Sequence, residues 1–228
     1  MKTSRYRLTG PILPKKVHPI VRRELRRQKE KVRRLTPRQL QALSILLKHI
    51  AKNELPPHLK RQKLPHSLGH GIFLSPEASP LRKGEPVGLY TGKVLFVPKN
   101  KPEESLYAFE PLSDLLLSKE EQEQWDPDQR YHPRRLYSLY VDALKSGNFT
   151  RFVNHSEKPN LRAELVEIPP NPYGIPPSPL EVLYVVDTPI APGEQLLISY
   201  DGDDHSYWGG LDIKPWPLFP RTFLYVPK

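Results

Sequence analysis

The chain has 228 residues, 37% of them hydrophobic, enough for one well-filled core with an appended segment. It contains no cysteine, which excludes disulfides, thiolate metal sites and a cysteine nucleophile, and its 28 prolines argue against an all-helical protein. The net charge of +10 is concentrated at one end: residues 1–38 hold 14 Lys/Arg against 2 Asp/Glu, so the remainder is slightly acidic.

The basicity therefore belongs to an N-terminal arm, residues 1–58, rather than to the body. Residues 1–38 of such an arm suit nucleic acid or another polyanion; a solvated tail is the alternative. Residues 1–20, with Pro11, Pro14 and Pro19, read as irregular, and residues 20–35 as helical but mostly polar. Thr36-Pro37 is a helix start, and Leu40, Leu43, Leu46, Leu47 and Ile50 then recur at helical spacing until Pro56-Pro57. That face docks on the body or, through residues 37–52, on a second subunit, the first being favoured.

The body begins near residue 59. Gly71 to Leu74 and Val87 to Tyr90 read as short strands. Residues 113–125 read as a short helix in an insertion, and Tyr137 to Val141 as a strand. Leu161 to Ile168 and Leu180 to Val186 read as paired strands joined by a stiff proline-rich loop. Glu194 to Tyr200 is a further strand, and residues 211–228 form an extended proline-rich tail lying on the body. The fold class is mostly β with short helices. No apolar run approaches the length of a membrane span, and no apolar secretory core opens the chain. The eight histidines show no paired metal-ligand spacing, so no metal site is expected.

Several short motifs carry chemistry. Gly69-His70-Gly71 lets backbone approach a ligand closely, although a tight turn between strands uses the same residues. Asn154 and His155 follow Phe152 and Val153, so both should be half-buried and in need of hydrogen-bond partners, which a structural network or a ligand can supply. Tyr200, closing the run Gly193-Glu194-Gln195-Leu196-Leu197-Ile198-Ser199, is by itself a packing tyrosine with its hydroxyl in water.

Taken in order, Gly69-His70-Gly71, Tyr90-Thr91-Gly92, Arg151-Phe152-Val153-Asn154-His155-Ser156 with Asn160, and the segment ending in Tyr200 resemble the SET domain, the fold of many protein lysine methyltransferases. The resemblance covers about residues 59–210 and is nearest to compact, cysteine-free bacterial SET proteins of the chlamydial type, in which a helical arm precedes the body. It implies a SET-domain fold with a pseudoknot, in which the Asn154-His155 segment threads under a C-terminal loop. It also implies S-adenosylmethionine as cofactor, held by Gly69, His70 and Gly71 and by Asn154 and His155. Arg151 and Asn160 match the family pattern beside this set; Arg151 is counted with the cofactor-binding residues, and both suit a structural part. By the same resemblance Tyr200 is the catalytic tyrosine and Tyr90 lines the lysine channel. Tyr140 is a third channel candidate. Ala163 and Ile198 occupy two positions where other members carry an aromatic residue, and both bear on channel width. Trp208 covers the adenine or packs on the pseudoknot. Zinc-bearing members have cysteine where this chain has Glu157, so no zinc is implied.

The function implied is transfer of methyl groups to lysine in histones or other histone-like basic proteins. A methyltransferase for a non-histone protein, or a catalytically silent binding module tethered to nucleic acid by its basic arm, are the alternatives. The expected setting is cytoplasmic or chromatin-associated, with export to a host nucleus as the effector version of the same reading.

Overall fold

The computed structural model describes residues 13–30, 32–51, 54–65, 69–101, 105 and 107–200. In chain order the elements are α1 (His18–Gln28), β1 (Arg33–Arg34), α2 (Pro37–Ala51), β2 (Leu59–Lys63), β3 (His70–Leu74), β4 (Pro86–Leu89), β5 (Lys93–Pro98), β6 (Ala108–Leu116), α3 (Lys119–Trp125), β7 (Leu136–Asp142), β8 (Asn154–His155), β9 (Leu161–Ile168), β10 (Ser178–Val186) and β11 (Leu197–Ile198). Short 3-10 turns precede α1 and β8. The strands form four small sheets, in the orders β1-β9-β10-β4, β5-β7-β6, β2-β3 and β11-β8.

The expectation of irregular chain up to residue 20 fails from Leu13 onward. Val17, Ile20 and Val21 make a short apolar stripe at helical spacing, and they bury with Leu13 against Val94, Phe96, Leu115 and Tyr137 of the β5-β7-β6 sheet. The same helix buries a carboxylate. Glu24 receives Arg23 Nε at 3.0 Å, Arg27 Nε at 2.7 Å and the backbone N–H of Leu116 at 3.3 Å. A buried charge persists only when paired in this way. Arg23 continues to Glu121 and to the Leu116 carbonyl, both at 2.8 Å, so α1 is fastened to the end of β6 and the start of α3.

α2 starts where the sequence indicates. Gln39 N–H donates to Thr36 Oγ1 and Thr36 N–H donates to Gln39 Oε1, each at 3.3 Å, a reciprocal cap. Leu40, Leu43 and Leu46 are buried, and the helix lies on β4. The apolar face thus docks on the chain's own body, the favoured of the two alternatives, with Ile45 left 55% exposed. Between the helices, β1 pairs in parallel with β9, placing Arg33 opposite Val166.

The insertion differs from expectation. Residues 108–116 are strand β6, antiparallel to β7 with two register shifts, and only Lys119–Trp125 is helical. Leu112 and Leu115 gain burial against α1 as a strand, and this outweighs the helix-like spacing of the leucines. The helix begins at Ser118, which shares a capping box with Glu121.

β9 and β10 pair antiparallel from Leu161–Val186 to Ile168–Ser178. The loop between them is pinned by Asn171, whose Nδ2 donates to the carbonyls of Pro169 and Ile175 at 2.8 Å each. Beside this sheet, residues 154–160 lie along residues 195–200. β8 and β11 pair in parallel, and buried Asn160 ties them by donating to the Gln195 carbonyl and accepting from Leu197 N–H, both at 2.8 Å.

Candidate active site

The glycine turn opens the site. Gly69 has φ +76°, a left-handed conformation that glycine adopts at little cost, and the ground beside it is open. Gly71 is the opposite case. A Cβ there would lie 2.6 Å from Nε2 of Gln195, so only glycine fits against that amide. His70, exposed between them, starts β3 and presents its carbonyl to Asn154 Nδ2 at 3.0 Å. Its ring meets Phe152 edge-on, with centroids 6.0 Å apart.

The Asn154-His155 segment is delivered by the 3-10 turn Phe149–Phe152. Asn148 caps that turn by accepting from Thr150 N–H at 2.9 Å. It also anchors the turn to the end of β4, donating to the Leu89 carbonyl at 2.9 Å and to Thr91 Oγ1 at 2.8 Å. Arg151 leaves the turn with its guanidinium 4.9 Å from the Tyr107 ring centre and 5.4 Å from that of Phe152. Its Nε is buried and has no hydrogen-bond partner among the described residues. Arg61 of β2 lies 5.1 Å over the same Phe152 ring. Two cations therefore flank the aromatic that touches His70.

Tyr200 comes back onto this segment. Its backbone N–H donates to His155 Nδ1 at 3.0 Å, which requires that nitrogen to be unprotonated and leaves Nε2 to carry the ring proton. Its hydroxyl donates to the Val153 carbonyl at 2.8 Å, and its ring packs 5.4 Å from that of His155. At 36% exposure, Tyr200 is a surface of the cleft and not a core residue.

Tyr90 stands at the inner end. It is buried, donates to the Tyr107 carbonyl at 2.5 Å and stacks on Tyr184 of β10, with ring centroids 5.6 Å apart and planes at 29°. Phe109 closes its other flank at 6.0 Å. Burial, together with the neighbouring Tyr90 and Tyr200 hydroxyls, pushes the Tyr184 phenol well above its ordinary pKa.

The sequence-derived set thus largely converges. Gly69, His70, Gly71, Arg151, Asn154, His155, Tyr90 and Tyr200 share one cluster of contacts. Ala163 lies opposite Tyr184 in the β9–β10 pair, and Ile198 pairs with His155 while packing into the main core. Tyr140 is differently engaged. It donates to Glu110 at 2.8 Å on the opposite side of β7 from Val141, which packs in the core with Tyr90. Trp208 lies outside the described residues. Sequence reasoning missed Tyr184, Tyr107, Arg61 and Gln195. Tyr184 left one trace, as the lone aromatic in the apolar run Leu180 to Val186.

These features define a mostly-β domain of small sheets in which two segments remote in sequence cross beside a glycine turn and a group of tyrosines. The chain belongs to the SET domain family, whose sequence pattern matches residues 71–201. It is 29% identical over 150 residues to the N-lysine methyltransferase KMT5A-A of Danio rerio, which covers 65% of this chain and 36% of that protein. The chain thus spans about a third of the length of this curated relative. In fold it is similar to ATXR5 in complex with histone H3.1 mono-methylated on R26, with a TM-score of 0.56 and 17% identity, covering 89% of this chain and 82% of that one. The ATXR5 SET domain in complex with histone H3 di-methylated on R26 gives the same TM-score of 0.56 at 18% identity, covering 91% and 84%. α1, α2 and β1 lie before the matched span, yet β1 joins the main sheet and Leu35, Leu40 and Leu43 join the main core.

Proposed function

We propose that this chain is an S-adenosylmethionine-dependent protein-lysine N-methyltransferase acting on histones or histone-like basic proteins. The observation that carries the reading is the return of Tyr200 onto Val153 and His155 beside the His70 carbonyl that Asn154 holds. The residues suit the cofactor. An open glycine turn offers backbone, Asn154 and His155 are half-buried polar groups beside it, and the buried, unpartnered Nε of Arg151 belongs to a cation fitted to a carboxylate. Gly69, His70, Gly71, Asn154, His155 and Arg151 would hold the cofactor, which supplies an electrophilic methyl on a sulfonium.

The chain's own part is to bind, dry and align. A lysine ammonium has a reference pKa of about 10.4, so freeing its lone pair at pH 7 costs roughly 4 to 5 kcal/mol. Tyr90, Tyr184 and Phe109 form an apolar wall that disfavours the charged amine and so lowers this cost. The proton leaves to solvent before transfer. A cofactor held by these residues would supply the methyl to that lone pair and would itself be left as the neutral thioether. Tyr200, fixed through both its N–H and its hydroxyl, orients the amine. Such alignment contributes several kcal/mol.

For the substrate, the insertion's acids are mostly engaged within the fold. Asp114 pairs with Lys99 at 2.6 Å, whose ammonium holds the carboxyl below its usual range, and Glu121 pairs with Arg23. Attraction of basic peptides therefore falls to the slightly acidic body as a whole. Lys15, Arg22, Arg26, Lys29 and Arg38 are exposed on the N-terminal segment, a surface that would meet nucleic acid where chromatin substrates reside.

Incubation with methyl-labelled S-adenosylmethionine and mixed core histones tests the reading. Label on a histone lysine is expected, and Y200F should lower turnover far more than cofactor affinity. Cofactor binding without transfer to any histone or to a bacterial histone-like protein would favour a silent module instead.

A further inference from the structure

Guanidinium groups and aromatic rings alternate across the site. Arg61 lies 5.1 Å over Phe152, and Arg151 stands 5.4 Å from the same ring and 4.9 Å from that of Tyr107. Each contact is the attraction of a cation for the face of a ring, and it strengthens as water is excluded. At one end of the row Phe152 meets His70 of the glycine turn. At the other, Tyr107 meets the hydroxyl of Tyr90. The row therefore joins the side that suits the cofactor to the side that suits the amine.

Tyr107 lies just before β6 and is held through both backbone and ring. Its N–H donates to Ser105 Oγ at 3.3 Å, and that hydroxyl donates to Asp142 Oδ1 at 2.7 Å. Its carbonyl accepts from Ala143 N–H at 2.9 Å and from the Tyr90 hydroxyl at 2.5 Å. The half-buried ring rests on the main core and faces Arg151. A phenol has one proton to give. Tyr90 gives its proton to the Tyr107 carbonyl, so toward a ligand its oxygen acts only as an acceptor. The place of that carbonyl thus sets how Tyr90 presents its oxygen.

We propose that Tyr107 is a positioning residue that ties Arg151 on the cofactor side to Tyr90 on the amine side. The inference rests on the methyltransferase reading above. The ring, anchored by Arg151, holds its own peptide unit in place, and the carbonyl of that unit holds the Tyr90 hydroxyl in the orientation that receives an amine N–H. Loss of the ring lets the carbonyl shift and Tyr90 with it, while the groups assigned to the cofactor keep their own contacts. The role needs an aromatic face at position 107 and makes no use of its hydroxyl.

The test compares wild type, Y107F, Y107L, Y90F and the double variant Y90F/Y107L in the labelled histone reaction, with affinity for S-adenosylhomocysteine measured by calorimetry. Y107F keeps the ring and should turn over as wild type does. Y107L should lower kcat about three- to thirtyfold, the worth of one cation–π contact. Its affinity for S-adenosylhomocysteine should stay within about twofold of wild type. In the Y90F background, where no hydroxyl reaches the carbonyl, Y107L should lower kcat by less than about twofold further. A merely structural role would lower the melting temperature and act equally in both backgrounds. Y107M supplies the same comparison where Y107L unfolds the chain. With an active wild type, three results each overturn the inference alone: full turnover in Y107L, a loss in Y107F equal to that in Y107L, or equal effects of Y107L in the two backgrounds. A wild type that transfers nothing overturns the methyltransferase reading and this inference with it.

Discussion

Replacing Asn160 with alanine removes two buried hydrogen bonds at the place where remote segments cross. The side chain is 2% exposed, donates to the Gln195 carbonyl and accepts from the Leu197 N–H, both at 2.8 Å. Alanine leaves that N–H and that carbonyl without these partners, in a site with little room for water. Each of the two orphaned groups costs about 1–3 kcal/mol, so the variant should lose roughly 2–6 kcal/mol of unfolding free energy. Backbone bonds remain, from Asn160 N–H to the Leu197 carbonyl at 3.1 Å and from Ser156 N–H to that of Ile198 at 3.0 Å. The crossing is therefore loosened and not abolished. N160D keeps the acceptor for Leu197 but turns an anionic oxygen toward the Gln195 carbonyl, so it should be at least as harmful. Denaturant unfolding of the full chain measures both. A loss below about 0.5 kcal/mol for N160A, the range of ordinary surface substitutions, would refute the claim that this amide holds the crossing.

Two further predictions use other parts of the molecule. G71A should weaken both stability and cofactor binding because its Cβ meets Gln195 Nε2 at 2.6 Å, and Q195A should relieve it; purely additive effects in the double mutant would show that the contact is not the cause. His18 is buried on α1 with its pKa lowered by desolvation, opposed in part by its hydrogen bond to the Leu13 carbonyl. Its folded pKa lies below the unfolded value of about 6.5, so the unfolded chain binds the proton more readily and stability falls as pH drops from that value toward the folded pKa. Thermal unfolding of wild type and H18N across that window should show a steeper pH dependence for wild type, and parallel curves would contradict it.

The parts of this fold that the sequence announces are those where local pattern and tertiary demand agree. The paired apolar runs of β9 and β10, the Thr36-Pro37 start of α2 and the strand Tyr137 to Val141 are of this kind. Leu112 to Leu117 is of the other kind. Its leucines suit a helix by spacing, and only the arrival of α1 over the sheet makes strand the better burial. The same partner hides α1 itself, because Val17, Ile20 and Val21 are too few to stand out among so many arginines until the surface they cover is known.

At the site, the residues carried by contiguous motifs were legible, since Gly69-His70-Gly71 and Asn154-His155 each present their chemistry within a few positions. Tyr184 and Arg61 were not, because what defines them is a neighbour across a sheet. Tyr184 matters through Ala163, Gly88 and Tyr90, and Arg61 through Phe152. Arg61 also lies before residue 71, where the family pattern begins, as do α1, α2 and β1. These earlier elements are nonetheless tied to the site's support: β1 hydrogen-bonds to β9, the strand that carries Ala163, and α1 grips β6, the strand that carries Phe109. The N-terminal segment therefore supports from behind the strands that carry Ala163 and Phe109, while Lys15, Arg22, Arg26, Lys29 and Arg38 stay exposed.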